Sequence, residues 1–293
     1  MWRPLAFEPF SPFFLFVDAM REPLLCPRAL ITRPEPEASR WVQALAVRGV
    51  PAHVLPLITI AAAPVTGELE AKLGRLHQYA ALMFVSGNAA QHFFGICAQM
   101  PNFSLPAKAQ AWAPGPGTSA VLRAQGWPPE RIVQPPLDAR QFDSEALWEC
   151  VQGQVQSGQR VLIVRGGEGP ASAASGGQGR SWLTQQLQAR GLTVDHVAVY
   201  WRRAPVFASE QKALARQAAG DGTVWVFSSS ESVDNLLAAM PGQSWAQAWA
   251  IATHPRIAQT LQEAGFGTVR ESRPVLKSVA QTLQDWDKVR ARA

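Results

Sequence analysis

Tyr200 is one of only two tyrosines in a chain of 293 residues, and it lies at the end of the apolar run His196-Val197-Ala198-Val199-Tyr200-Trp201. A phenol is a weak acid with a pKa of about 10, so it can donate a hydrogen bond or a proton without first ionising. The bland alternative is an aromatic residue half-buried in a strand. A second set of polar groups recurs where apolar runs stop. Ser86 and Asn88 follow Leu82-Met83-Phe84-Val85, while Ser228 and Ser229 follow Val224-Trp225-Val226-Phe227. Thr118 closes Gly115-Pro116-Gly117-Thr118, and Thr253 opens Thr253-His254-Pro255-Arg256. Thr32-Arg33 and Arg165-Gly166 end two further runs. Hydroxyl and amide side chains at such places cap the free N–H groups of a following helix. A helix N-terminus at the edge of a parallel sheet is also an anion site, because its N–H groups and dipole point outward. Together these residues suit a ligand that carries several carboxylates.

Other chemistries find no support. There is no Gly-x-Ser-x-Gly, no Ser/His/Asp set and no pair of carboxylates at a strand end. The Gly/Ser/Ala-rich stretch from Gly166 to Gly179 has Ser172 where a dinucleotide fingerprint needs its third glycine, so it reads as a loop at the rim of a cleft. Cys26, Cys97 and Cys150 are odd in number and lack metal-ligand spacing, as do the histidines, so reduced thiols and no metal site are expected.

The elements that would position these groups are duplicated. Ala29-Leu30-Ile31-Thr32-Arg33 matches Val161-Leu162-Ile163-Val164-Arg165, and each precedes a helical stretch closed by Arg-Gly and then a β-rich run. Leu82 to Ser86 matches Val224 to Ser228, and Ala111-Trp112-Ala113 matches Ala248-Trp249-Ala250. The three segments recur in one order at a slowly drifting offset, the mark of a duplicated half-protein. Strands alternating with helices give an α/β fold: two similar doubly wound parallel sheets, joined by a two-stranded hinge with a cleft between the lobes. Ala52 to Ile60 reads as one strand, Glu37 to Val47 and Ala89 to Cys97 as helices.

Hydrophobic residues make up 47% of the chain and charged residues 17%, the balance of a folded globular protein. The net charge of +5 is spread, with no dense basic cluster, which argues against nucleic acid and for an anionic small molecule. Residues 1–27 read as a disordered leader, with Met20 as an alternative start. Phe13 to Val17 is too short to span a membrane, and the match to a signal peptide is poor. A cytoplasmic monomer is expected.

Leu30-Ile31-Thr32-Arg33-Pro34, Phe84-Val85-Ser86-Gly87-Asn88-Ala89, Val199-Tyr200 and Val226-Phe227-Ser228-Ser229-Ser230 resemble the blocks of the uroporphyrinogen-III synthase family, in order, across residues 28–285. The resemblance implies a discontinuous domain 1 (28–57 and 205–293), a domain 2 (58–204), and crossings near Pro56 to Ile60 and Tyr200 to Pro205. It also implies cyclisation of the linear tetrapyrrole hydroxymethylbilane to uroporphyrinogen III, with loss of water, inversion of the last ring and no cofactor. On that resemblance Tyr200 assists the departing hydroxyl. Thr32, Arg33, Ser86, Asn88, Thr118, Arg165, Gly166, Ser228, Ser229 and Thr253 bind the substrate, and no residue is indispensable. The longer loop after Arg165, Gly87 and Thr253-His254 depart from the family's usual pattern. Two rivals remain: a non-catalytic bilobal binder of a polycarboxylate shares the architecture, and a glycosyltransferase would need a base and a nucleotide turn that are not evident.

Overall fold

Short apolar runs become central strands here because each face of the pleat has its own helical cover. The computed structural model describes residues 28–101, 103–167 and 178–286. In β1 (Ala29–Ile31), Leu30 packs with Trp225, Phe227, Ala250 and Ala252 on one side. Ala29 and Ile31 pack with Val224, Val226 and Ile251 on the other. The alternation that sorts side chains to two faces therefore leaves no polar residue in the run. β1 pairs with β2 (Ala52–Val54) and β9 (Val224–Phe227), followed by β10 (Trp249–Ala252) and β11 (Thr268–Glu271). The order of this all-parallel sheet is β11-β10-β9-β1-β2. Helices α7 (Ser209–Ala218), α8 (Ser230–Ala239) and α9 (Pro255–Glu263) cover one face. Helices α1 (Glu37–Ala46) and α10 (Leu276–Gln284) cover the other.

The second sheet repeats the scheme with β3 (Thr59–Ala62), β4 (Ala81–Phe84), β5 (Gln110–Trp112), β6 (Ile132–Val133), β7 (Arg160–Gly167) and β8 (Thr193–Arg203), in the order β3-β8-β7-β4-β5-β6. Leu82, Phe84, Leu162, Val164, Val197 and Val199 face α2 (Gly67–Leu73), α3 (Gly87–Cys97) and α4 (Pro116–Ala124). Ala81, Met83, Val161 and Ile163 face α5 (Ser144–Val151) and α6 (Gln178–Ala189). Setting β3 aside, β6-β5-β4-β7-β8 matches β11-β10-β9-β1-β2 strand for strand, so the three repeated segments occupy equivalent positions in two doubly wound sheets.

The expected extended runs meet as an antiparallel pair, Thr59 against Arg203 through Ala62 against Tyr200, and this pair forms the edge of the second sheet. The single strand expected from Ala52 to Ile60 is two strands. Pro56 has no N–H to donate to a ladder, and the halves on either side of it pair in different sheets. The glycine-rich stretch also differs from its reading as loop throughout: Gly166 and Gly167 belong to β7 and pair with Tyr200 and Trp201. The leader, residues 168–177 of the loop, Cys26 and residues 287–293 lie outside the described residues. Cys97 and Cys150 are free thiols. Among the described residues, no helix is long and apolar enough to cross a membrane.

Candidate active site

Each sheet ends in a row of helix N-termini, and the residues there are chosen by what a first turn needs. Ser86 caps α3, its Oγ accepting from Ala89 N–H at 3.2 Å. In the other sheet Ser229 stands at the equivalent place before α8. Gly115 precedes α4 and His254 precedes α9, each with proline at the first helical position, where the missing N–H costs nothing. His254 Nδ1 accepts from Arg256 N–H at 3.1 Å. Asp143 caps α5 by accepting from Ala146 N–H at 2.8 Å. All these turns except the last follow strands of matched position, so both carboxyl edges carry the same positive helix ends.

Tyr200, on β8, is held by β7 and by the cap of α3. The pairing of β7 with β8 slips between Arg165 and Gly166, so that Gly166 stands opposite Tyr200 instead of Val199. A bulge of this kind re-aims a side chain, and here it brings the adjacent Val199 and Tyr200 into the same core. A Cβ at 166 would overlap Cε2 and Cζ of the Tyr200 ring, which makes glycine the residue that fits. The Tyr200 hydroxyl lies 3.3 Å from Ser86 Oγ. Ser86 Oγ already accepts from Ala89 N–H, so its one hydrogen can go to the Tyr200 oxygen, leaving the phenolic proton for a ligand. At 4% exposure Tyr200 is part of the core.

The two carboxyl edges touch. Asp143 Oδ2 lies 3.4 Å from His254 Nε2, and Glu145 Oε1 lies 3.7 Å from Arg256 Nη2. Arg273 donates to the Leu137 carbonyl at 2.5 Å and lies over the Phe142 ring. On the Tyr200 strand, Arg202 pairs with Glu231 of α8 at 2.9 Å. The Asp143 carboxyl is held below its usual range, chiefly by the hydrogen bond from His254; burial opposes the shift. Between these contacts lies a cavity of about 370 Å³ lined by Gln141, Phe142, Ser228, Thr253, His254 and Arg256 among others. Its polar groups come from both sheets' elements, and its cationic side comes from the α9 turn.

A family model described as uroporphyrinogen-III synthase HemD matches residues 39–281. The chain belongs to the uroporphyrinogen-III synthase family. A uroporphyrinogen-III synthase of Proteus mirabilis is 30% identical over 190 residues, covering 63% of this chain and 85% of that protein. The fold is shared with a mutant uroporphyrinogen III synthase of Thermus thermophilus, at TM-score 0.56 and 17% identity over 91% of this chain and all of that one. It is shared equally with the uroporphyrinogen-III synthetase of Helicobacter pylori, at TM-score 0.56, 14% identity and the same coverage.

In this synthase fold the residues singled out from sequence fall into separate groups. Tyr200, Ser86 and Gly166 come together, as do Ser228 and Thr253 at the cavity. Asn88 is half-buried in the first turn of α3, and Thr118 is buried in the first turn of α4. Arg165 is buried on β7 just before the bulge. Two others have internal partners that a substrate would have to displace. Thr32 is buried and donates its hydroxyl proton to the Val226 carbonyl at 2.8 Å. Arg33 bonds Glu37 at 2.8 Å and lies over Trp41, and burial pulls its guanidinium pKa down against the raising effect of Glu37. Besides Thr253, the structure brings in His254 and Arg256 of the same turn, and Asp143 at the start of α5. It also adds His92, on α3, whose ring lies 5.4 Å from that of Tyr200. No sequence signal marks His92.

Proposed function

We propose that this chain cyclises hydroxymethylbilane to uroporphyrinogen III with inversion of the last ring, as a cofactor-independent carbon–oxygen lyase of tetrapyrrole and haem biosynthesis. The observation that carries the proposal is the meeting of two carboxyl edges lined with matched helix N-termini, on a chain of this family. The linear substrate presents carboxylates along its length, and charge-assisted hydrogen bonds of about 1.5–3 kcal/mol each can hold it by many points. Ser86, Asn88, Thr118, Arg165, Gly166, Ser228, Ser229 and Thr253 are the proposed contacts. Thr32 and Arg33 take part only by exchanging their internal partners.

Tyr200 is the proposed acid. Its O–H gives its proton to the hydroxyl of the substrate's terminal carbon as the C–O bond breaks with its electron pair going to oxygen; water departs, and the phenolate takes back a proton from the last ring when closure restores that pyrrole. The adjacent pyrrole nitrogen stabilises the cation that remains. In solution that cation closes on the near end of the last ring. A cleft that fixes both terminal rings directs attack to the other position of the ring, giving the spiro intermediate from which inversion follows. Such orientation is the kind of effect that lowers a barrier by several kcal/mol, with about 7–11 as the ceiling.

The proposal includes domain 1 at 28–57 and 205–293, domain 2 at 58–204, a monomeric state and a cytoplasmic setting. The sorting of β1, β2 and β9–β11 from β3–β8 supports the domain division. The test is turnover: purified protein is mixed with hydroxymethylbilane, and disappearance of the bilane is followed against buffer alone. The synthase accelerates the loss. A protein that leaves the rate unchanged, or slows it by binding the bilane, refutes the proposal.

A further inference from the structure

We infer that His92 is a positioning residue for the Tyr200 hydroxyl, its ring forming one wall of a socket completed by Gly166 and Ser86. This inference rests on the reading of Tyr200 as the group that meets the departing hydroxyl.

Three residues from two elements, β7 and α3, converge on one phenol. Gly166 of β7 offers a bare α-carbon where any side chain would strike ring atoms Cε2 and Cζ. Ser86 fixes the oxygen at 3.3 Å. His92 lies against the ring, centroids 5.4 Å apart and planes inclined by 31°. Ser86 and His92 belong to one rigid unit, the cap and the second turn of α3, so the hydroxyl and the ring are located by the same helix. A tyrosine side chain has two soft torsions, about the Cα–Cβ and Cβ–Cγ bonds, and the first of them carries the hydroxyl from place to place. A flat neighbour beside the ring and no Cβ beneath it restrict that rotation to one sector.

The imidazole suits this task for a further reason. Burial holds His92 below the usual imidazole range, so near neutral pH it is uncharged. A neutral wall neither draws the phenolic proton towards an anion nor recruits a substrate carboxylate to the wrong place. Among the described residues, neither ring nitrogen of His92 has a hydrogen-bond partner, and its ring contact is with Tyr200.

The chain's two tyrosines make the test direct. Full-length protein labelled with carbon-13 at the tyrosine ζ carbon gives two resonances, assigned by Tyr79→Phe. Tyr79, bonded to Asp195 far along the same strand, serves as the control for folding. The expected result for His92→Ala is a shift of the Tyr200 resonance alone, with kcat reduced about tenfold and KM nearly unchanged. His92→Phe restores a flat wall and brings kcat back to within about threefold of the parent. The inference is overturned if the Tyr200 resonance stays in place in His92→Ala. It is equally overturned if both resonances move and His92→Phe rescues neither signal nor turnover. If Tyr200→Phe leaves turnover intact, the catalytic reading of Tyr200 fails separately, while the resonance still reports on the socket.

Discussion

Replacing Gly166 by alanine puts a methyl group in place of a hydrogen at the point where the bulge presses β7 against the Tyr200 ring. The new Cβ would overlap Cε2 and Cζ and stand 2.9 Å from the hydroxyl oxygen. Gly166 lies in ordinary strand conformation, so the effect is one of space and not of backbone strain. The ring is 4% exposed and packed with Val199 and Phe84 in the core, which leaves rotation away from Ser86 and His92 as its escape. Overpacking of this kind costs about 1–3 kcal/mol of stability. Displacing the hydroxyl by an ångström or more is expected to lower kcat by about 10²-fold, which equals about 2.7 kcal/mol of barrier. That value sits at the low end for general acid catalysis, as a labile leaving group requires. The assay is a double-mutant cycle on bilane turnover, with chemical denaturation run in parallel. Tyr200→Phe removes the oxygen but keeps the ring carbons that the new Cβ strikes. The stability losses of Gly166→Ala therefore persist in the Tyr200→Phe background, whereas the activity loss does not recur. Gly166→Ala retaining parental kcat, or lowering kcat again by the full factor when Tyr200 is already phenylalanine, would refute the reasoning.

Asp143→Asn keeps an oxygen for the α5 cap and removes the charge that faces His254. The Asp143 carboxyl is depressed, so its contribution is complete above about pH 4, the unfolded value, and is lost as pH falls through the folded one. Urea denaturation at steps from about pH 6 to about pH 3 should show a smaller acid loss in the variant, by on the order of 1 kcal/mol; an equal loss contradicts the pairing. Burial, and then Asp195, push the Tyr79 phenol up to about 12. Its contribution to stability is therefore complete below about pH 10 and disappears as pH rises through about 12, and Tyr79→Phe should delete the late step in phenolate absorbance. Burial likewise pushes the Cys97 thiol up to about 12, so peptide mapping after brief treatment of the native protein with a thiol reagent should find Cys97 unmodified. Rapid labelling there would contradict the packing around α3.

The duplication was legible because the central strands β1, β4, β7, β9 and β10 are covered on two faces, which writes each of them as an apolar run that a copy preserves. The helix starts were legible for a similar reason, since Ser86, Ser229, Pro116 and Pro255 answer to local backbone chemistry. Other features depend on chain segments far apart and leave no local mark. The run Ala52 to Ile60 reads as one strand because nothing in its composition says that its halves join different sheets. Gly166 and Gly167 read as loop because the rings that require their bareness, Tyr200 and Trp201, sit on another strand. Asp143 and His254 meet across a separation of 111 residues. Thr32 and Arg33 illustrate the converse. Their types suit an anion, yet Val226 and the Glu37–Trp41 face of α1 had already engaged them.

The direction of ring closure separates this synthase from the spontaneous reaction, and the isomer composition of the product reads it directly. Hydroxymethylbilane generated in place by the enzyme that makes it would be converted by the purified chain, oxidised, and resolved into type I and type III uroporphyrins beside a sample without the chain. The expected result is a dominant type III product, formed faster than closure in buffer. Type I alone at the buffer rate, from protein whose folding is confirmed by circular dichroism, would contradict it.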